Sequence, residues 1–408
     1  MSNQRSQTTR WFYGLPLLHG IVYRVSTLIL AVVGFIWWRA KYTGRECIPD
    51  TEAFLLLPNH SSMLDPFWIG APTGRGMKSM ASAGLFQIPI VGAYIRMIGC
   101  FPKKKFTKDR ESMQTLQNAF DDGYGVMIFP EGNRSWNGET AQIQPGIGRL
   151  IKRLKCKVVY GRLNSAYLFQ PRWAKYPRWV PIEGTYDGPY EYGEELTVEE
   201  ITADVQAKVS VVPHLKKPAK VWGFRMAHGL RQYLWACPDC HAMESLDVAK
   251  DCGNSIQCSK CESRWKVDVY SMLNGERTMS VADAFRELES HFGMPPIEHP
   301  ERFEATSIAL TGSDATLFQI PQGTNDTVVV AEGEVQLHSG GLRLIDESGK
   351  EVWGASLEAL KGISVEWGNL LHFRIDGQLY RLIVPNDSPL KWDHFLCKWR
   401  EHVVGSSH

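Results

Sequence analysis

His60 and Asp65 stand five residues apart in Asn59-His60-Ser61-Ser62-Met63-Leu64-Asp65-Pro66. A histidine can take up a proton near neutral pH, and a carboxylate on one ring nitrogen leaves the other free to do so. On an ideal helix, positions five apart point to different faces. The two side chains therefore meet only if the chain turns between them. The preceding Phe54-Leu55-Leu56-Leu57-Pro58 is short and apolar enough for a buried strand. Pro66 favours a helix start there, with Asp65 as its N-cap. Strand end, loop and helix start would then join imidazole and carboxylate. The same residues also fit a helix cap beside an unrelated histidine, and the pair alone does not choose.

A second stretch, about seventy residues on, has the same layout. Val126-Met127-Ile128-Phe129 reads as another buried strand, followed by Pro130-Glu131-Gly132-Asn133-Arg134-Ser135. Gly132 lets the backbone approach a ligand closely. Arg134 can grip a phosphate or carboxylate, and Glu131 can position a polyol or fix the arginine. A purely structural Glu–Arg pair is the alternative. Together the two blocks resemble the glycerolipid acyltransferase family, the lysophosphatidic acid acyltransferase type. Its signature is Asn-His-x-x-x-x-Asp followed by Phe-Pro-Glu-Gly-x-Arg-Ser, and the resemblance covers roughly residues 45–215.

The resemblance implies an acyltransferase-type α/β domain acting in phospholipid biosynthesis. The donor would be a thioester, acyl-CoA or acyl-carrier protein, and the acceptor a hydroxyl of lysophosphatidic acid or a related glycerolipid. His60 would be the general base and Asp65 would orient it, with no covalent enzyme intermediate. The family's acceptor block has a basic residue six after a glycine. Here that is Gly99-Cys100-Phe101-Pro102-Lys103-Lys104-Lys105, so Lys105 stands where the family generally has arginine. Lysine is a point charge without the bidentate fork. Lys105, Glu131, Gly132 and Arg134 would then hold the acceptor, although a solvated lysine loop fits the same run. The family's fourth block usually carries a proline, and Lys157-Val158-Val159-Tyr160-Gly161 has none. No base is placed to make Cys100 a thioester relay. A catalytically silent lipid-binding or scaffold protein on the same fold is the competing reading.

Four elements must surround these residues. Residues 11–38 are the most apolar stretch, but the uncharged run from Val25 to Trp38 is 14 residues, short of the ~20 that span a bilayer. Tryptophans at both ends, with Arg10 and Arg39 outside them, look like interface anchors. The expectation is an N-terminal membrane-associated segment (1–42), peripheral or monotopic, on the cytoplasmic face of the inner membrane. A single span or a buried soluble helix are the alternatives. The acyltransferase domain follows over 43–230. Within it Met113, Leu116 and Phe120 form a core-facing helical stripe. Pro-Arg-Trp occurs twice, at 171–173 and 177–179, and suits either a lipid head-group boundary or cation–π stacking within a folded loop. Thr197-Val198-Glu199-Glu200 is a capping box.

Cys237-Pro238-Asp239-Cys240 and Cys258-Ser259-Lys260-Cys261 form two knuckles separated by 17 residues. That spacing signals a structural Zn2+ held by four thiolates and resembles a zinc ribbon, placed at 231–285. Cys252 is a less symmetric substitute ligand, and a redox dithiol is the alternative for either knuckle alone. From 300 to 408 the hydrophobic period becomes two, with Asp376-Gly377 as a hairpin turn and a closing helix after Ser388-Pro389. Antiparallel strands closed by one helix resemble, by element order, a pleckstrin-homology-like domain that could bind a lipid head group or a protein. The net charge of +1 leaves no basic excess for nucleic acid, so no nucleic-acid partner is expected.

Overall fold

The computed structural model describes residues 17–36, 38–82, 85–86, 88–103, 110–213, 219–250, 252–292, 308–321, 327–338, 340–366, 370–385 and 387–404. The chain divides into two compact units, 1–226 with 268–271, and 227–267 with 272–408.

The apolar run before His60 is strand β2 (Phe54–Pro58), after the short β1 (Lys41–Thr43). All five β2 residues are buried because the strand lies mid-sheet with both faces covered, the usual reason for an unbroken apolar strand. Phe54 and Leu56 enter one core with Trp68, Ile69, Tyr167 and Phe169. Leu55 and Leu57 enter the other with Leu116, Ile147, Ile151, Ile201 and Val205. The remaining strands are β3 (Met77–Ser82), β4 (Cys100–Lys103), β5 (Gly125–Met127), β6 (Lys157–Leu163) and β7 (Glu183–Tyr190). Their order is β1-β7-β6-β2-β5-β3-β4, parallel except for the β6–β7 pair. β5 begins and ends earlier than the apolar pattern suggests. Ile128 still donates its N–H to Leu56 O, and the chain then leaves the sheet towards Glu131.

Helix α1 (Leu17–Ile36) precedes the sheet. It buries Tyr23, and Gly34 lies where an added Cβ would stand 3.2 Å from the Trp68 ring. Its other side exposes Leu28, Ile29, Phe35 and Ile36. No helix among the described residues is long and apolar enough to cross a membrane. Helices α2 (Asp65–Gly70), α3 (Pro89–Met97), α4 (Arg110–Asp121), α5 (Gly146–Leu154), α6 (Ala166–Phe169) and α7 (Val198–Val209) complete the layer structure. Leu116 of α4 is fully buried, as its stripe requires. The capping box at Thr197 is formed in both directions.

In the second unit, β8 (Leu246–Val248), β9 (Ser255–Cys258), β10 (Arg264–Val267), β11 (Met272–Asn274) and β12 (Thr278–Ser280) make a five-stranded antiparallel sheet, followed by α8 (Val281–His291). Seven further strands follow: β13 (Ile308–Ile320), β14 (Val328–His338), β15 (Gly341–Ile345), β16 (Glu351–Ser356), β17 (Lys361–Glu366), β18 (Leu370–Ile375) and β19 (Gln378–Ile383). They form one antiparallel sheet, ordered β16-β15-β14-β13-β19-β18-β17. Ile375 pairs with Gln378 across Asp376-Gly377, both at positive φ, which a tight two-residue hairpin demands. Helix α9 (Pro389–Val404) starts where Ser388 Oγ accepts the Lys391 N–H at 3.2 Å, and it buries Trp392 and Leu396.

Candidate active site

The β2 strand end is pinned before it turns. Asn59 Oδ1 accepts the Leu163 N–H at 2.7 Å, and Asn59 N donates to Gly161 O, both groups on the neighbouring β6. The chain then turns through His60 to Leu64, and Asp65 opens α2. Leu64, in helical backbone geometry, takes the N-cap position expected for Asp65. The carboxylate turns back into the loop instead. Asp65 Oδ2 accepts three bonds: His60 Nδ1 at 2.9 Å, Ser61 N at 2.6 Å and Ser62 N at 2.7 Å. Asp65 is fully buried, and its Oδ1 has no hydrogen-bond partner. A carboxylate can only accept, so Nδ1 carries the proton and Nε2 carries the lone pair. Burial lowers the pKa of His60 below its ordinary value, and Arg134 and Arg172 add to this. The Asp65 bond and charge pull the other way. The result is a neutral imidazole with Nε2 as its basic atom.

The second block closes over the first. The Phe129 ring stacks on His60 with centroids 3.9 Å apart. Glu131 Oε1 accepts the His60 N–H at 2.5 Å, its Oε2 accepts the Ala141 N–H at 2.8 Å, and Ser135 N donates to His60 O at 2.9 Å. Glu131 is buried, which pushes it up to about 8 against the pull of its two backbone donors. Its two carboxyl oxygens tie the backbones of two loops rather than pairing with Arg134. Replacing Glu131 with glutamine puts an amide NH2 where one of two N–H donors needs an acceptor. The variant is expected to lose about 1–3 kcal/mol of stability, read as a lower denaturation midpoint, with activity falling as the His60 loop shifts.

Gly132 has a φ of +77°, the left-handed conformation that favours glycine, and is exposed. Arg134 is half-buried. Among the described residues its guanidinium has neither a hydrogen-bond nor an ion-pair partner, although it is close enough to Asp65 and His60 for their charges to interact. Lys105 lies outside the described residues. Burial pushes the Cys100 thiol up to about 12 against the opposing charge of Lys78, which disfavours the thiolate a relay would need.

Arg172 is the residue that sequence reasoning did not assign to the site. Its Nη1 donates to Arg134 O at 3.0 Å, and its guanidinium lies 4.2 Å from the centroid of the Trp136 ring. Its only sequence signal was the Pro-Arg-Trp repeat, which carries no information about distance to His60.

Residues 39–160 match the family model described as Acyltransferase. Over this stretch the chain is similar to acyltransferase domains. A chloroplastic 1-acyl-sn-glycerol-3-phosphate acyltransferase of Arabidopsis thaliana is 28% identical over 127 residues, 30% of this chain and 35% of that one. The 1-acyl-sn-glycerol-3-phosphate acyltransferase of Saccharomyces cerevisiae is 25% identical over 145 residues, 34% of this chain and 47% of its own. The chain thus spans less than half the length of these two relatives. Among solved structures, the 1-acyl-sn-glycerophosphate (LPA) acyltransferase PlsC of Thermotoga maritima is 21% identical. That match covers 50% of this chain and 88% of PlsC, with a TM-score of 0.40. The matched segment contains the His60, Asp65, Glu131, Gly132 and Arg134 positions and stops short of Arg172.

In the second unit the Sγ atoms of Cys237, Cys240, Cys258 and Cys261 all lie within 4.8 Å of one another. The Cys237–Cys261 and Cys240–Cys258 separations are 3.6 and 3.7 Å. Four thiolates bonded to Zn2+ at ~2.3 Å in a tetrahedron stand about 3.8 Å apart, so this donor set fits a zinc ion. The exposed Cys252 is not part of the cluster.

Proposed function

We propose that the protein transfers a fatty acyl group from acyl-CoA or acyl-carrier protein to a hydroxyl of lysophosphatidic acid or a related glycerolipid. The observation that carries this reading is an Asp65-oriented neutral imidazole beside Arg134, whose guanidinium has no hydrogen-bond or ion-pair partner among the described residues. His60 Nε2 takes the acceptor hydroxyl's proton as its oxygen attacks the thioester carbonyl. The carbon–oxygen bond forms, the carbon–sulfur bond breaks, and the departing thiolate recovers the proton from His60. Asp65 keeps Nδ1 protonated throughout and stabilises the imidazolium in between. Arg134 and Arg172 bind the acceptor's phosphate, and Lys105 is assigned the same task. Gly132 keeps the backbone at the mouth of the site free of a side chain.

The exposed apolar side of α1 is assigned to the bilayer, which would place the enzyme as a peripheral or monotopic protein on the cytoplasmic face of the inner membrane. The four-cysteine cluster is assigned a structural Zn2+, because four sulfur ligands leave no open position for chemistry. The C-terminal sheet is assigned to binding a lipid head group or a protein.

The test is an assay of purified protein with radiolabelled acyl-CoA or acyl-carrier protein and a panel of lysolipids. Transfer to phosphate-bearing lysolipids supports the reading, and no transfer with either donor overturns it. Arg172→Ala is expected to raise KM for lysophosphatidate by about ten-fold or more, as loss of a charged hydrogen bond worth ~1.5–3 kcal/mol requires. KM for the acyl donor should hold. Because the Arg172 charge lowers the pKa of His60, the acid limb of the rate profile should also move to higher pH. An unshifted limb with unchanged KM would remove Arg172 from the site.

A further inference from the structure

Among the described residues, the exposed tryptophan and phenylalanine side chains are Phe35 on α1, Trp222 (60% exposed) and Phe224 (41% exposed). Trp222 and Phe224 are far from α1 in sequence but not isolated from it. Trp222 lies against Phe224 in a tilted arrangement with centroids 5.6 Å apart, and Phe224 against Tyr176 likewise at 5.3 Å. Trp222 and Trp179 exchange backbone N–H···O bonds of 2.7 and 3.0 Å. Arg39, three residues beyond the end of α1, lies 4.5 Å over the Trp179 ring and donates to Lys220 O at 2.7 Å. Arg225 donates to Tyr176 OH at 3.2 Å, and Lys175 lies 5.9 Å from the centroid of the same ring. These contacts link Arg39, just beyond α1 in the chain, through Trp179, Trp222, Phe224 and Tyr176 to Arg225. Aromatic rings lie along this strip, and the cationic groups of Arg39, Lys175 and Arg225 stand against them.

Exposed rings held in place among cations are poorly matched to bulk water. They suit the depth of lipid head groups, where amphipathic rings settle and each nearby basic residue gains about 1 kcal/mol from an anionic surface. We propose that this strip is a second membrane contact, selective for anionic lipid, that continues the α1 surface. It rests on the assignment of α1 to the bilayer, but its test needs no enzymatic activity.

The experiment is co-sedimentation of the full chain with phosphatidylcholine vesicles, with and without phosphatidylglycerol. Lys175→Ala with Arg225→Ala is expected to weaken binding to the anionic vesicles about ten- to thirty-fold and to leave binding to neutral vesicles unchanged. Trp222→Ala with Phe224→Ala is expected to weaken binding to both. A nitroxide on the Trp222→Cys variant should report a depth within the head-group region. Equal binding by wild type and both double variants, with a water-exposed nitroxide, overturns the strip and leaves the α1 assignment standing. Loss of all binding on Phe35→Asp with Leu28→Asp, together with unchanged binding by both strip variants, would show that α1 alone holds the membrane and would also overturn it. A change of oligomeric mass on Trp222→Ala with Phe224→Ala, binding unaltered, would make the strip an interface between copies instead.

Discussion

Replacing His60 with alanine is expected to lower the acyl-transfer rate by 10²–10⁴-fold, the usual contribution of a positioned general base. The fold should survive, because His60 holds the site together through its backbone. The bonds from His60 N to Glu131 and from Ser135 N to His60 O do not involve the imidazole. Asp65 Oδ2 keeps the Ser61 and Ser62 amides as donors when Nδ1 is gone. The side-chain losses are one hydrogen bond and the Phe129 stack, together about 1–3 kcal/mol. Circular dichroism and a denaturation midpoint would establish that the variant is folded before its rate is read. A folded variant retaining a tenth of the wild-type rate would overturn the base assignment. The wild-type pH profile gives a second check. Burial holds His60 below its ordinary 6.5, so the base form persists downward and the acid limb should fall below pH 6.5. Asp65 raises His60, so its removal in Asp65→Asn should move the limb lower still, while the lost orientation reduces the rate.

How much of this site was legible from sequence depends on how local each interaction is. The β2 strand announced itself because it is buried on both faces, and the meeting of His60 with Asp65 follows from a turn only five residues long. The register that lays Phe129 over His60 comes from pairing Phe54 with Gly125 across a parallel sheet, which no local pattern encodes. Glu131 illustrates the limit. The motif suggested a ligand for substrate or for Arg134, whereas the folded chain spends both carboxylate oxygens on backbone amides of separate loops. Arg172 was harder still, since it returns to Arg134 from 38 residues away through one carbonyl contact. The N-cap expectation failed for a related reason. Asp65 is drawn into the His60 loop by three donors, and one helix-capping bond cannot compete with them.

Removal of the metal assigned to Cys237, Cys240, Cys258 and Cys261 should have the largest structural effect in the molecule. Metal analysis of freshly purified protein is expected to find about one zinc per chain. The cysteines bracket β8 and β9, short strands whose own buried apolar residues number few: Leu246, Ile256 and, on the adjoining β10, Trp265 and Val267. Binding of a structural zinc supplies roughly 10–16 kcal/mol in comparable small modules, more than such a core gains by itself. Chelation, or Cys258→Ser, should therefore raise amide hydrogen exchange across β8, β9 and β10. The effect should reach further along the chain. Residues 268–271 join β10 to β11 yet belong to the first unit, where the fully buried Arg178 donates to Val269 O and Ser271 Oγ, both at 2.8 Å. Two other Arg178 nitrogens have no partner, so this loop holds the guanidinium's only hydrogen bonds among the described residues. If the strands on either side melt, the loop loses its anchors and a buried charge is left uncompensated, a loss on the order of 3–5 kcal/mol. Chelation should thus also speed exchange at residues 178–182. A purified protein without zinc, or exchange unchanged by chelation, would remove the structural metal. Exchange confined to β8, β9 and β10 would keep the metal and sever its link to Arg178.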